Sequence, residues 1–405
     1  MPQQFIIIGT DDNAAPHFPE EILAQIAAGR IFSGGRRHRE LVAPLLPPGA
    51  EWIDIVTPLD EVFRAYAPHP KIVVFASGDP LFFGFAATVR RRLPDAEIVV
   101  HPRFNSLQTL AHRIVMPYER MRIVSLTGRP WHEFDRALIE GCPQIGVLTD
   151  RTHTPAAIAR RMLDYGYAGY TLHVGERLGG TSERIHRLSA EEAARGEFAA
   201  PNCLILEGAG RKRPFGIPDE RFELLDGRAR MITKMPVRLT ALSLLDLNRR
   251  QVFWDVGFCT GSVSIEARLQ FPHLHVHSFE IRPEGERLMQ TNSRRFGAPG
   301  IETHIGDFLT ADLGGTPAPD AVFIGGHGGR LDEMLQRIAR VLAPDGAVVF
   351  NSVSEESLAL FERSAEAAGM EITGRIALQV DRHNKIEILR AEPAREAGDG
   401  RPEPR

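Results

Sequence analysis

Two carboxylates and a pair of glycines in the second half of the chain have the spacing to hold a nucleoside. Asp255, Gly257 and Gly261 fall in V-F-W-D-V-G-F-C-T-G-S-V-S-I-E, residues 252–266, and Glu280 closes H-V-H-S-F-E about twenty residues later. A glycine turn lets backbone N–H groups and the positive end of a helix approach a ligand with no Cβ in the way. A carboxylate at the end of the next strand can accept both hydroxyl protons of a ribose. Gly306-Asp307 and Asp320-Ala-Val-Phe-Ile add polar groups at two further strand ends. In the first half the densest string is S-G-D-P-L-F-F-G, residues 77–84. There Gly78 permits a conformation that other residues resist, Asp79 offers a carboxylate and Pro80 stops the strand. No Ser-His-Asp arrangement accompanies these residues.

Such residues need strands to carry them. Val252, Phe253, Trp254 and Val256 make a strand, and residues 262–269 read as a helix with Val263, Ile265, Ala267 and Leu269 apolar. Strands expected at 275–280, 301–305, 320–324, 346–351 and 371–378 alternate with helices near 284–296, 330–342 and 355–368. This predicts an α/β fold with a doubly wound sheet and ligands at the carboxyl ends of its strands. In the first half, residues 5–8, 52–56 and 71–76 read as strands and 19–28 as a helix.

At 405 residues the chain exceeds one ordinary core. The expected division is a first domain at 1–207, a linker at 208–219 (G-A-G-R-K-R-P-F-G-I-P-D), a second domain at 220–392 and a disordered tail at 393–405. Lys plus Arg number 48 against 52 Asp plus Glu, a net charge of -4 that leaves no electrostatic footprint for nucleic acid. The scattered Cys142, Cys203 and Cys259 suit a reducing cytoplasm. The opening M-P-Q-Q-F-I-I-I-G reads as a first strand, neither signal peptide nor membrane span. His273, His275 and His277 alternate as zinc ligands sometimes do. No metal is expected, because an edge-strand polar face explains the spacing and no Cys or carboxylate completes a site.

The alternation of Asp255, Gly257, Cys259 and Gly261 resembles the D-x-G-x-G-x-G of class I S-adenosylmethionine methyltransferases, with Cys259 replacing the middle glycine. S-G-D-P-L-F-F-G resembles the hallmark of the tetrapyrrole (corrin/porphyrin) methylase family. H-P-R-F-N-S-L-Q at 101, S-L-T-G-R-P at 125, V-L-T-D at 147, V-G-E-R-L-G-G-T-S-E and P-N-C-L at 201 follow in that family's order. One departure is the first loop, where Gly9 precedes Thr10-Asp11-Asp12-Asn13 in place of G-x-G-P-G. With T-K-M-P-V-R at 233, D-V-G-x-x-T-G-S-V, I-G-D and I-G-G-H-G-G, residues 1–390 as a whole resemble the fused, decarboxylating precorrin methyltransferases of cobalamin biosynthesis.

That resemblance implies an N-terminal two-lobed α/β domain of tetrapyrrole-methylase type and a C-terminal seven-stranded Rossmann-like domain. It implies methyl transfer to carbons 5 and 15 of a precorrin (6Y or 6B, giving precorrin-8), loss of carbon dioxide from the ring C acetate, and a homo-oligomer. S-adenosyl-L-methionine would occupy two sites per chain. One would be held by Thr233, Gly257, Thr260, Gly261, Ser262, Val263, Glu280, Gly306 and Asp307, the other by Gly78, Asp79, Ser106, Thr149 and Asp150. A macrocycle rich in carboxylates calls for cationic or hydrogen-bonding partners, for which His327, Arg330 and Arg238 are the catalytic-site candidates, with Lys234 beside them. Two other readings are an RNA or DNA methyltransferase and a non-catalytic S-adenosylmethionine sensor with one decayed domain. Against the first, the fourth strand ends in I-G-G-H where base-amino methyltransferases carry D-P-P-Y.

Overall fold

The computed structural model describes residues 2–11, 16–228, 231–380 and 385–394. Asp12 and Asn13 of the first loop, and residues 395–405 of the expected tail, lie outside the described residues. The chain forms two compact units, Met1–Arg129 with Cys142–Leu163 and Ala168–Ala209, and Pro130–Gly141 with Asp164–Tyr167 and Gly210–Arg405.

In the first unit, β1 (Gln4–Thr10), β2 (Ile31–Gly34), β3 (Glu51–Asp54), β4 (Lys71–Ser77) and β5 (Glu97–His101) form a parallel sheet ordered β3-β2-β4-β1-β5. In β4, Ile72 to Ala76 are all buried, the near-continuous apolar run that a strand covered on both faces requires. A second sheet, ordered β6-β7-β10-β8-β9, comprises β6 (Arg122–Ser125), β7 (Gln144–Leu148), β8 (Tyr170–Glu176), β9 (Arg184–Leu188) and β10 (Asn202–Gly208). Its β6 and β7 are parallel and its other neighbours antiparallel.

The second unit is built on one seven-stranded sheet. Its strands are β11 (Val252–Val256), β12 (His275–Glu280), β13 (Ile301–Ile305), β14 (Ala321–Ile324), β15 (Ala347–Ser352), β16 (Met370–Leu378) and β17 (Ile386–Pro393), in the order β13-β12-β11-β14-β15-β17-β16. The first five in that order are parallel, and β17 is antiparallel to both its neighbours. The sequence reading ends the ordered chain at 392 with no strand after 378. Instead β17 lies inside the sheet, with Ile388, Leu389 and Ala391 fully buried.

Two segments depart from the expected division. The helix His132–Glu140, assigned by sequence to residues 1–207, belongs to the second unit, where Ile139 joins an apolar cluster with Ile217, Phe222, Phe258, Leu269 and Phe296. The expected linker is pinned as well. Ile217 is buried, and the N–H groups of Gly216 and Ile217 donate to the buried Glu266 carboxylate at 2.8 and 3.1 Å. Among the described residues, no helix is long and apolar enough to cross a membrane.

Candidate functional site

Parallel pairing puts the ends of β11, β12 and β14 level, with Val256 opposite both Phe279 and Ile324. The loops that follow therefore emerge along one edge. Gly257 sits at φ +80°, and a Cβ there would lie 2.7 Å from the Gly326 nitrogen, so the two strand-end loops can meet only at a glycine. Cys259, two residues on, adopts φ +49°, and its N–H donates to Glu280 Oε2 at 2.9 Å. Glu280 is buried, and its other oxygen accepts from the Arg282 N–H at 3.0 Å and the Arg282 guanidinium at 3.1 Å. A carboxylate offers about four lone-pair positions. Three are taken, and one belongs to the guanidinium of an Arg282 side chain that is 46% exposed and free to swing aside.

Beneath the turn, Asp255 accepts from the N–H and hydroxyl of Ser264 through Oδ2. Its Oδ1 and the Thr260 hydroxyl are buried with no hydrogen-bond partner among the described residues. Burial pushes the Asp255 carboxyl up to about 7, against the pull of the two Ser264 bonds and with a further push from Glu280. Ser262 and Val263 fill the buried first turn of the helix Ser262–Gln270. After β13, Gly306 donates its N–H to the Glu280 carbonyl at 2.9 Å. Asp307 accepts from the Arg330 guanidinium at 2.8 Å and from the Leu309 N–H at 3.0 Å, which holds its carboxyl below the usual range. Buried polar atoms lacking partners, a glycine cradle and a strand-end carboxylate fit the nucleoside and amino-acid ends of S-adenosylmethionine.

The substrate-facing candidates separate. His327 accepts from the Gly329 N–H through Nδ1 at 3.2 Å, its ring edge meets Phe350 at 5.8 Å, and burial holds its pKa below the ordinary histidine value. Arg330 is already paired with Asp307. Arg238 is a correction. It is 0% exposed, with Nε 3.3 Å from Glu266 and Nη1 bonded to the Thr233 carbonyl at 2.8 Å and 3.4 Å from Asp219. Its Nη2 donates to the Ile217 carbonyl and its guanidinium lies 5.2 Å from the Phe222 ring. A guanidinium so committed anchors the entry segment and leaves nothing for substrate. Thr233 enters this network through its carbonyl, and Lys234 lies 3.5 Å from Asp219.

In the first unit a cavity of about 460 Å³ opens where β1 and β4 end, lined by Gly78, Asp79 and Ser106 together with Arg37, His38, Asn105, Asn202 and Cys203. Gly78 has φ +58°, and a Cβ on it would sit 2.9 Å from the Asn105 Cα. Asp79 caps a turn by accepting from the Leu81 N–H at 2.8 Å. Ser106 opens the helix Ser106–Arg113 behind an Asn105 cap. Arg37 and His38 escaped the sequence reading because β2, which delivers them, was not foreseen. The Arg37 guanidinium donates to Ser77 at 2.9 Å, and the His38 ring lies 3.0 Å from the same hydroxyl. Burial, helped by Arg37, pushes His38 down to about 4.

Thr149 and Asp150 stand outside that lining. The Thr149 hydroxyl bonds the Asn202 side chain at 2.7 Å, so it reaches the cavity wall only through Asn202. Asp150 closes the turn that precedes the helix Pro155–Asp164. It accepts from the N–H groups of His153, Gly128 and Thr152 at 2.6, 3.0 and 2.8 Å, which hold its carboxyl well below the carboxylate range. A carboxylate so occupied shapes the loop.

A family model described as "Tetrapyrrole (Corrin/Porphyrin) Methylases" matches residues 16–194, and one described as "Precorrin methyltransferase domain" matches residues 225–392. The Precorrin-6Y C(5,15)-methyltransferase (decarboxylating) of Sinorhizobium sp is 31% identical over 396 residues, covering 96% of this chain and 91% of the relative. A protein of the same name from Mycobacterium tuberculosis is 25% identical over 375 residues, covering 91% of this chain and 92% of its own. The Cobalt-precorrin-6B C(15)-methyltransferase (decarboxylating) of Salmonella typhimurium is 41% identical over 140 residues, 35% of this chain and 70% of its own. With glycine-cradled strand ends in both halves and a relative matched along nearly its full length, the chain belongs to the decarboxylating precorrin-6Y C5,15-methyltransferase family, S-adenosylmethionine-dependent C-methyltransferases of cobalamin biosynthesis.

Proposed function

We propose that the chain holds S-adenosylmethionine at two sites, one in each compact unit, and methylates a precorrin at carbons 5 and 15 while removing carbon dioxide from the ring C acetate. The observation that carries this reading is the repetition of one device in two unrelated sheets. In each, a glycine with positive φ ends a buried parallel strand and is closed over by the backbone of another loop, Gly78 by Asn105 and Gly257 by Gly326. The first unit takes the carbon 5 transfer, the second the carbon 15 transfer and the decarboxylation.

S-adenosylmethionine supplies the methyl group on a sulfonium, and the electron-rich macrocycle supplies the electrons, so the protein contributes alignment in place of a nucleophile of its own. In the second unit Glu280 would accept the ribose hydroxyls, with Asp255 and Thr260 offering the buried polar atoms that lack partners. His327, uncharged near neutral pH, would hydrogen-bond a substrate carboxylate, and Arg330 would meet one by exchanging it for Asp307. For decarboxylation the acetate C–C bond breaks, carbon dioxide leaves, the bond's electron pair is held in the conjugated ring, and a proton taken up from solvent at the remaining methylene carbon uses that pair to complete a methyl group. The exposed glycines of 325–329 are the side of the site open to a flat ring. Excluding water there is the contribution asked of the chain.

The reading also takes the protein to be a cytoplasmic homo-oligomer that does not act on nucleic acid. Sedimentation of the purified chain tests self-association, and absence of labelled methyl transfer to RNA or DNA tests the substrate class. The decisive experiment is mass spectrometry of reduced precorrin-6Y after incubation with the protein and S-adenosylmethionine. Two methyl gains with one loss of carbon dioxide are expected, and a single methyl gain would refute the two-site reading. Asp79→Ala and Glu280→Ala should each suppress a different methylation.

A further inference from the structure

The edge of the second unit's sheet gathers donor groups that the methylation site does not use. β13 is the outermost strand, parallel to β12, with Glu302 opposite His277 and His304 opposite Phe279. Residues directly opposite, and residues two apart on one strand, project from the same face. His277, Glu302 and His304 therefore converge. His277 is 3% exposed, its Nδ1 lies 3.3 Å from His304 Nε2 and 3.5 Å from Glu302 Oε2, and the three ligand atoms all fall within 4.8 Å of one another. Two ligands about 2.0–2.1 Å from a tetrahedral ion stand roughly 3.3–3.5 Å apart. The two separations from His277 match the edge of such a tetrahedron, and the third, from Glu302 to His304, lies within 4.8 Å.

We propose that His277, Glu302 and His304 bind a divalent transition-metal ion, with Zn2+ the best fit to two imidazoles and a carboxylate, and water completing the fourth position. Stacking of His304 on Phe279, with ring centroids 4.6 Å apart, sets its ring plane in advance. The neighbouring histidines are engaged elsewhere. His132 stacks on His275 at 3.9 Å and bonds the His273 carbonyl at 3.1 Å, while the His273 ring meets the carbonyls of Leu247 and Arg250. The alternating run His273, His275, His277 is thus not the ligand set. The carboxylate that completes the site comes from the adjacent strand. A metal here ties the edge strand to its neighbour and braces the end of β13, from which Gly306 and Asp307 follow.

The test uses the full chain, stripped by a chelator and dialysed. Titration with ZnCl2 against a chromophoric chelator should show one saturable site per chain, and Co2+ in its place should give the visible absorption of a tetrahedral complex. His304→Ala and Glu302→Gln should each weaken Zn2+ binding by about tenfold or more, whereas His69→Ala should leave it unchanged. The melting temperature should rise with Zn2+ in the parent chain and not in His304→Ala. Absence of a saturable site, or equal affinity in the parent and both variants, overturns the proposal. None of these readouts depends on methyl transfer, so the outcome is independent of the function proposed above.

Discussion

Cys259 occupies a position where the family pattern has glycine, and its φ of +49° is a conformation that costs an L-residue about 1–2 kcal/mol. The chain keeps the bend because the Cys259 N–H orients the Glu280 carboxylate. Cys259→Gly should keep that bond and raise stability by up to about 1 kcal/mol in urea denaturation, the gain being reduced by the greater freedom of an unfolded glycine. Arg238→Met should do the opposite and cost about 3–5 kcal/mol, because the buried Glu266 carboxylate loses its cation. Cofactor affinity measured on the surviving folded protein should change little.

Asp255 gives a pH dependence whose sign follows from its raised pKa. The folded chain keeps a proton to about pH 7 that the unfolded chain releases near pH 4, so the contribution of this group to stability falls as pH rises between those values and levels off above. Asp255→Asn removes the slope. Relative to the parent, the variant should therefore gain stability, on the order of a few kcal/mol, between pH 5 and pH 7.5, and equal differences at the two pH values would refute the assignment.

Elements were legible where the pattern was long. The alternation of apolar strands and amphipathic helices from 252 to 378 is a local property of the chain, and the sheet contains every strand it implied. β2 was missed because Ile31–Gly34 is four residues ending in Ser and Gly, a strand made by its neighbours more than by its own composition. β17 was missed because Glu387, Arg390 and Glu392 interrupt its apolar residues and hide the strand pattern. In the sheet Arg390 and Glu392 pair with each other at 2.7 Å while Leu389 points into the core. Leu389→Ala should cost about 2–5 kcal/mol by chemical denaturation, where a residue on an unpaired surface segment would cost little.

For the molecule as a whole the expected count is two equivalents of S-adenosylmethionine per chain by equilibrium dialysis, falling to one in Glu280→Ala. The sequence by itself determined which loops carry glycines and carboxylates at strand ends, hence the class of ligand, because the order of a strand, a turn and a helix is written in consecutive residues. Only the tertiary structure decided which of those polar groups are already spent. Asp150 and Arg238 carry the right chemistry and are consumed by backbone and buried partners, whereas Arg37 and His38 reach a cavity that no local pattern assigned to them. A side chain's type is fixed by the chain. Its partners are fixed by strand register and packing between residues far apart in sequence, as His277 with Glu302 and His304 shows.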